Sequence, residues 1–309
     1  MKNKAFISLV VYLHNDTDSI EEFIRTVSPV INDNFELNEF IFIDDGSTDD
    51  TYTKITGLIE KMKINAFVFS LAYRHNKESA LLAGVDKSVG DFVYQFESSI
   101  IDYPTDFIID MFDEIKSGGY DIISLRPIGQ YLKYQTIYNY LFNMLSFRSM
   151  DVAEERITLS TRKALNSLSS INERLRYNKA LVNLLGLYVR NMSYRPINDK
   201  YSDNRSHAHL LKIFFINVIS YTNIGTKLSF YISFIFILCS IYFGIQILYL
   251  FFINNEVVSG LNSLMLFLSM SFSAMFLVFG VLNSNITKTL KEIVNYPSYN
   301  IKKSYKHFS

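Results

Sequence analysis

The sequence predicts an α/β protein with a doubly wound, Rossmann-like mixed sheet, followed by an amphipathic helix and a two-helix transmembrane hairpin. Three observations predict it. Across residues 5–125, strand-length apolar runs alternate with helix-like segments of about 10–15 residues, the signature of βαβ units. One such run, Phe40-Ile41-Phe42-Ile43, stops abruptly at Asp44-Asp45-Gly46-Ser47-Thr48-Asp49. Strand, acidic turn and helix start in succession mark the place where open α/β sheets hold ligands. Finally, two long uncharged apolar stretches fall in the last third of the chain.

Taken in order, Ala5–Tyr12 is a strand, and Asp16–Val30 has helical spacing at Ile20, Phe23, Ile24 and Val27 behind an Asp/Ser cap region, with Pro29 near its end. Glu39–Ile43 is a strand, Asp49–Met62 a helix and Ile64–Ser70 a strand. Lys77–Ser88 is a helix closed by Gly90, and Asp91–Phe96 a strand. Pro104–Lys116 is a helix closed by Gly118-Gly119, and Tyr120–Leu125 a strand. Residues 126–200 read as mostly helical and are rich in Tyr, Arg and Asn. Residues 206–227 contain an amphipathic segment of the kind that lies in a membrane interface, or that packs on a neighbouring domain.

Composition narrows the function classes. Lys plus Arg and Asp plus Glu both number 30, so net charge makes no case for nucleic acid. The single cysteine, Cys239, rules out a disulfide framework and a cysteine zinc site. The N-terminal apolar run is short and leads into His14-Asn15-Asp16, so no signal peptide is expected and the domain is expected in the cytoplasm.

Leu228–Ile253 is 26 residues and Leu261–Leu282 is 22 residues without a charge. Each is long enough to cross a hydrocarbon core of ~30 Å as a helix. The first holds 17 Leu, Ile or Phe residues, which at roughly −0.4 kcal/mol each favour insertion by about 7 kcal/mol. The linker 254–260 lacks Lys and Arg, whereas Lys288, Lys291, Lys302, Lys303 and Lys306 follow the second stretch. The positive-inside rule then makes 228–284 a multi-pass hairpin of the inner membrane, with the globular domain (1–205) and a basic tail (285–309) facing the cytoplasm.

On the residues alone, Asp44 and Asp45 are ligand-binding acids or turn formers, with Asp49 as a helix N-cap. The wider pattern resembles the membrane-anchored polyprenyl-phosphate glycosyltransferases of the GT-A fold, family 2, the group of dolichol-phosphate mannose synthase and the bactoprenol glucosyl transferases. The residues that carry the resemblance are Phe42–Asp49, Arg74-His75-Asn76-Lys77-Glu78-Ser79-Ala80-Leu81-Leu82-Ala83-Gly84, Gly90–Pro104, Ile157–Leu165 and the ending Lys291–Tyr299. The resemblance implies an inverting transfer from a nucleotide-diphosphate sugar to a polyprenyl phosphate at the membrane, for cell-envelope glycan modification.

It also implies roles for residues. Asp44, Asp45, Asn76 and Glu97 would hold the nucleotide, Glu97 and Asp102 a Mg or Mn ion, and Arg156 or Arg162 the lipid phosphate, making Glu97, Arg156 and Arg162 the catalytic set. Arg195, Lys200 and Arg205 are further phosphate candidates. Ile157–Leu165 would be the helix after the acceptor loop. The chain departs from the family's Asp-x-Asp strand end, which here reads Glu97-Ser98-Ser99, and Arg156-Ile157-Thr158 replaces its Phe-Arg-Leu segment. The absence of Trp excludes the Gln-x-x-Arg-Trp signature of processive polysaccharide synthases. These departures leave open a catalytically impaired relative that serves as a binding or assembly partner. A lipid flippase is a weaker option, because two spans make no pathway unless the chain forms a homo-oligomer.

Overall fold

The computed structural model describes residues 2–75, 77–128, 155–169, 185–198 and 299–307, together with scattered helical positions between 264 and 289. The juxtamembrane segment 206–227, nearly all of the expected hairpin and Asn76 lie outside the described residues. Among the described residues, no helix is long and apolar enough to cross a membrane. The chain divides into two compact units, and the one built from Met1–Tyr140, Met150–Arg205 and Pro297–Ser309 carries the sheet.

Its first half follows the alternation read from the sequence. β1 (Asn3–Leu13), α1 (Ile20–Asn34), β2 (Phe35–Asp44), α2 (Thr51–Met62), β3 (Ala66–Leu71), α3 (Lys77–Lys87), β4 (Phe92–Phe96), α4 (Asp106–Gly118) and β5 (Ile122–Pro127) succeed one another. α1 runs through Pro29 to Asn34, five residues past it, and passes straight into β2. Then come β6 (Ile157–Thr161), α5 (Arg162–Ser169), β7 (Val189–Tyr194) and β8 (Ile301–His307).

The eight strands form one mixed sheet in the order β7-β5-β6-β4-β1-β2-β3-β8. β1 lies parallel to β2 and β4, and β3 parallel to β2. β6 runs antiparallel to both β4 and β5. Side chains alternate across a strand, and β1 shows the consequence. Ile7, Leu9, Val11 and Leu13 join Phe23, Ile24, Ile55 and Phe112 on one face, while Val10 joins Ile41, Ile43, Ala80, Leu81 and Ala164 on the other. Burial on both faces explains the continuous apolar runs of β1 and β2. α3 presses so close that a Cβ on Gly84 would lie 2.2 Å from Val10 Cγ1, which is why glycine stands there.

Two expectations change. Ile157–Thr161 is a strand, not the start of a helix, and the helix begins only at Arg162. β-branched Ile157, Thr158 and Thr161 favour the extended chain once β4 and β5 offer edges on both sides. The basic tail is not merely a tail, because Ile301–His307 adds to the free edge of β3 as an antiparallel strand. Tyr305 there donates to Glu60 Oε1 at 2.6 Å, and the Lys303 and Lys306 ammoniums lie 5.5 and 5.3 Å from the Tyr52 and Phe67 rings.

Candidate active site

Parallel β1, β2, β3 and β4 point their carboxyl ends to one rim of the sheet, and the predicted acidic residues collect there. Directly after β2, Asp44 Oδ1 accepts from the Ser47 backbone N–H at 3.0 Å and Oδ2 from Ser70 Oγ at 2.8 Å. Asp44 therefore builds the turn and ties it to β3. Gly46 sits at φ +63°, where a Cβ would come within 2.7 Å of the Arg74 backbone nitrogen, so this turn needs glycine. Asp49 accepts from the Thr51 N–H at 3.1 Å and from Thr17 Oγ1, but the N-cap of α2 is Asp50 and not Asp49 as expected.

Asp45 is fully buried and joins three segments. Its carboxylate accepts from Tyr12 Oη at 3.2 Å and from the His75 N–H at 2.7 Å. Burial, and then the Asp45 charge, push the Tyr12 phenol well above its ordinary pKa, so it stays a proton donor. The His75 ring stacks on Tyr73 with centroids 4.1 Å apart. Its Nδ1 lies 3.6 Å from Asp45 Oδ1, and both ring nitrogens are buried with no hydrogen-bond partner among the described residues. A buried polar group left without a partner is costly, so this corner is prepared for hydrogen bonds that a ligand would complete.

Glu97 opens the loop after β4. Its Oε2 lies 3.1 Å from Lys77 Nζ, which belongs to the first turn of α3 and sits 5.9 Å from the centre of the Tyr12 ring. Beyond Glu97 the polar groups turn inward. Ser98 Oγ accepts from the Ile100 N–H at 3.1 Å, and Ser99 Oγ lies 2.5 Å from Ser19 Oγ. Asp16, from the loop after β1, closes this knot by accepting from the His14 N–H at 2.8 Å and from Ser19 Oγ at 3.3 Å. Burial raises the Asp16 carboxyl above its ordinary pKa, against hydrogen bonds from His14, Ser99 and Ser19. Asp16, Tyr12, His75 and Lys77 escaped the sequence-based assignment of roles. The placement of His14-Asn15-Asp16 just past a strand end was the signal that could have found the first.

Three of the expected site residues have protein partners of their own. Asp102 Oδ2 accepts from Arg156 Nε at 3.1 Å and its Oδ1 from Tyr194 Oη at 2.7 Å, with Asp102 and Arg156 both buried. They form an internal pair, so neither is presented to a metal ion or a lipid phosphate. Arg162 lies at the other end of the sheet. β6 reverses direction against β4, so Arg162 donates to Gly90 O at 2.7 Å and to Ser88 Oγ at 3.0 Å beside the amino end of β4. A five-residue strand at about 3.3 Å per residue puts it roughly 15 Å from Glu97. Arg195, just past β7, is exposed on the same rim as Glu97, since Tyr194 pairs with Pro127 at the end of β5. Lys200 and Arg205 lie outside the described residues.

For a divalent cation the rim offers one carboxylate, Glu97, where Mg²⁺ and Mn²⁺ take hard oxygen ligands from carboxylates, water and substrate phosphates. Among the described residues, no group of three or more acidic, His or Cys side chains is arranged to hold a metal, and Glu97, the acid at the strand end, already faces an ammonium.

Residues 8–168 match the model of glycosyl transferase family 2. The chain belongs to that family. As a family 2 glycosyltransferase it is 22% identical to the uncharacterized glycosyltransferase YkcC of Bacillus subtilis, over 96% of this chain and 94% of the relative. It is 24% identical to the bactoprenol glucosyl transferase of Shigella phage SfII, over 97% of this chain and 98% of that protein. Among solved structures, it resembles glucosyl-3-phosphoglycerate synthase of Mycobacterium tuberculosis, crystallised with Mn²⁺, UDP-glucose and phosphoglyceric acid. The TM-score is 0.51 and the identity 19%, over 70% of this chain and 77% of that one, a likeness of GT-A fold.

Proposed function

We propose that this glycosyltransferase moves one sugar, with inversion, from a nucleotide-diphosphate donor to a polyprenyl phosphate at the cytoplasmic face of a membrane, for modification of cell-envelope glycans. One observation carries the reading: the acidic turn after β2 and Glu97 after β4 lie on one rim of the sheet, with a His75 ring whose nitrogens have no hydrogen-bond partner among the described residues between the turn and α3. The carboxylate of Asp45 offers about four acceptor sites, and Tyr12 and His75 occupy two of them. Asp45 is fully buried, so it acts by holding the Tyr12 hydroxyl and the His75 backbone in place beside the nucleotide.

In the reaction, an oxygen of the lipid phosphate attacks the anomeric carbon while the bond from that carbon to the nucleotide diphosphate breaks. The electron pair leaves with the diphosphate. A phosphate is already ionised at neutral pH, so the nucleophile needs orientation rather than a base, and the main demand is stabilisation of the departing charge. Arg195 on the rim takes over the part of acceptor-phosphate cation first expected of Arg156 or Arg162. The name of the phage relative supports a polyprenyl acceptor.

Membrane anchoring is supported by residues 228–253 and 261–282, whose apolar length suits two spans. The sheet adds a topological argument. β8 pairs with β3, so the segment between β7 and β8 returns to the sheet it left, and any crossings it makes are even in number. A hairpin satisfies that condition.

The test is calorimetric titration of the full-length protein with UDP and GDP. One of them binds, and Asp45→Asn weakens it by about tenfold or more, the scale of a lost charged hydrogen bond. Undiminished affinity in a folded Asp45→Asn variant would overturn the assignment.

A further inference from the structure

We infer that the ammonium of Lys77, held in place by Glu97, takes the position and the task that a divalent cation would have at the donor's diphosphate. The inference rests on the donor-site reading above and deepens it.

Four observations carry it. The strand-end triplet Glu97-Ser98-Ser99 offers one carboxylate, and that carboxylate faces Lys77 Nζ at 3.1 Å. The two serines are turned to other work, Ser98 toward the Ile100 N–H and Ser99 toward Ser19. Asp102 is locked to Arg156 and Tyr194. Lys77 lies between the two halves of the site, over the Tyr12 ring that touches Asp45 and against Glu97. A diphosphate joining a base at the turn to a sugar near Glu97 must pass this point.

The ion pair is partly open to solvent. The Lys77 and Glu97 side chains are 32% and 20% exposed, and pairs this accessible add little to stability. An ammonium has three donors and rotates on a flexible stem. It can keep one contact to Glu97 while donating to phosphate oxygens. Two features add to the positive field: Lys77 begins α3, where a helix presents its positive dipole end, and Arg74 acts on the same Tyr12 ring. Glu97 thus positions the lysine, and the lysine meets the developing charge of the leaving diphosphate.

The experiment is titration of the full-length protein with UDP against UMP, and GDP against GMP, in EDTA and again in Mn²⁺, for wild type and Lys77→Gln. In EDTA, wild type prefers its diphosphate over the monophosphate by about tenfold or more, and Mn²⁺ changes that ratio by less than about threefold. Lys77→Gln removes the preference while its monophosphate affinity and thermal midpoint stay. Diphosphate binding that appears only with Mn²⁺ overturns the inference from wild type alone, whatever the variant does. A Lys77→Gln protein that keeps the preference also overturns it. Failure of wild type to bind any of the four nucleotides in either condition overturns the donor-site reading, and this inference with it.

Discussion

Lys77 and Glu97 are twenty residues apart in the chain and meet because α3 starts, and β4 ends, on the same rim. No local pattern announces such a pair. The placement of Asp44, Asp45 and Glu97 on the rim was legible because each ends an apolar strand run, the position where α/β sheets bind ligands. The contacts of Arg162 were not legible, because its partners, Gly90 O and Ser88 Oγ, are more than seventy residues away and appear only when β6 lies beside β4. Its guanidinium is a clamp on the turn into β4, and burial lowers its pKa from the ordinary value. Arg162→Ala is therefore expected to cost about 1–3 kcal/mol of stability and to leave affinity for a short-chain polyprenyl phosphate unchanged within about twofold. Chemical denaturation and titration with that lipid phosphate on the same protein check both halves. Weakened lipid-phosphate binding without loss of stability would return Arg162 to the site.

At the level of elements, the legible part was the βα alternation, where buried strands are uniformly apolar and helices show their 3.6-residue period. The three strands that were missed share a different character. β6 is short, β7 leaves Arg190, Asn191 and Ser193 exposed, and β8 is Ile-Lys-Lys-Ser-Tyr-Lys-His. Their extended form is set by the neighbour they pair with, not by their own composition. β8 also has a protective role, since without it β3 would present an open edge with Phe67 and Phe69 beside it. A chain ending at Asn300 is expected to melt at least about 5 °C lower and to form larger species in size-exclusion chromatography. A truncated chain with an unchanged midpoint and a single monodisperse peak would show that β8 is dispensable.

For the whole molecule, one sheet joins the beginning and the end of the chain, and the apolar residues 228–282 lie in the sequence between its seventh and eighth strands. On the proposed reading, a segment that leaves the sheet after β7 and rejoins it at β8 ties the domain at both ends to its anchor. The family 2 match covers the sheet, and on the proposed reading the acidic turn holds the donor while Lys77, 3.1 Å from Glu97, meets its diphosphate. The most direct test incubates the full-length protein in polyprenyl-phosphate vesicles with labelled UDP- and GDP-sugars, in EDTA and in Mn²⁺, and measures label extracted with the lipid. The expected result is one sugar per lipid from a single donor class, formed in EDTA as well as in Mn²⁺. No lipid-linked label with any common donor in either condition would contradict the account.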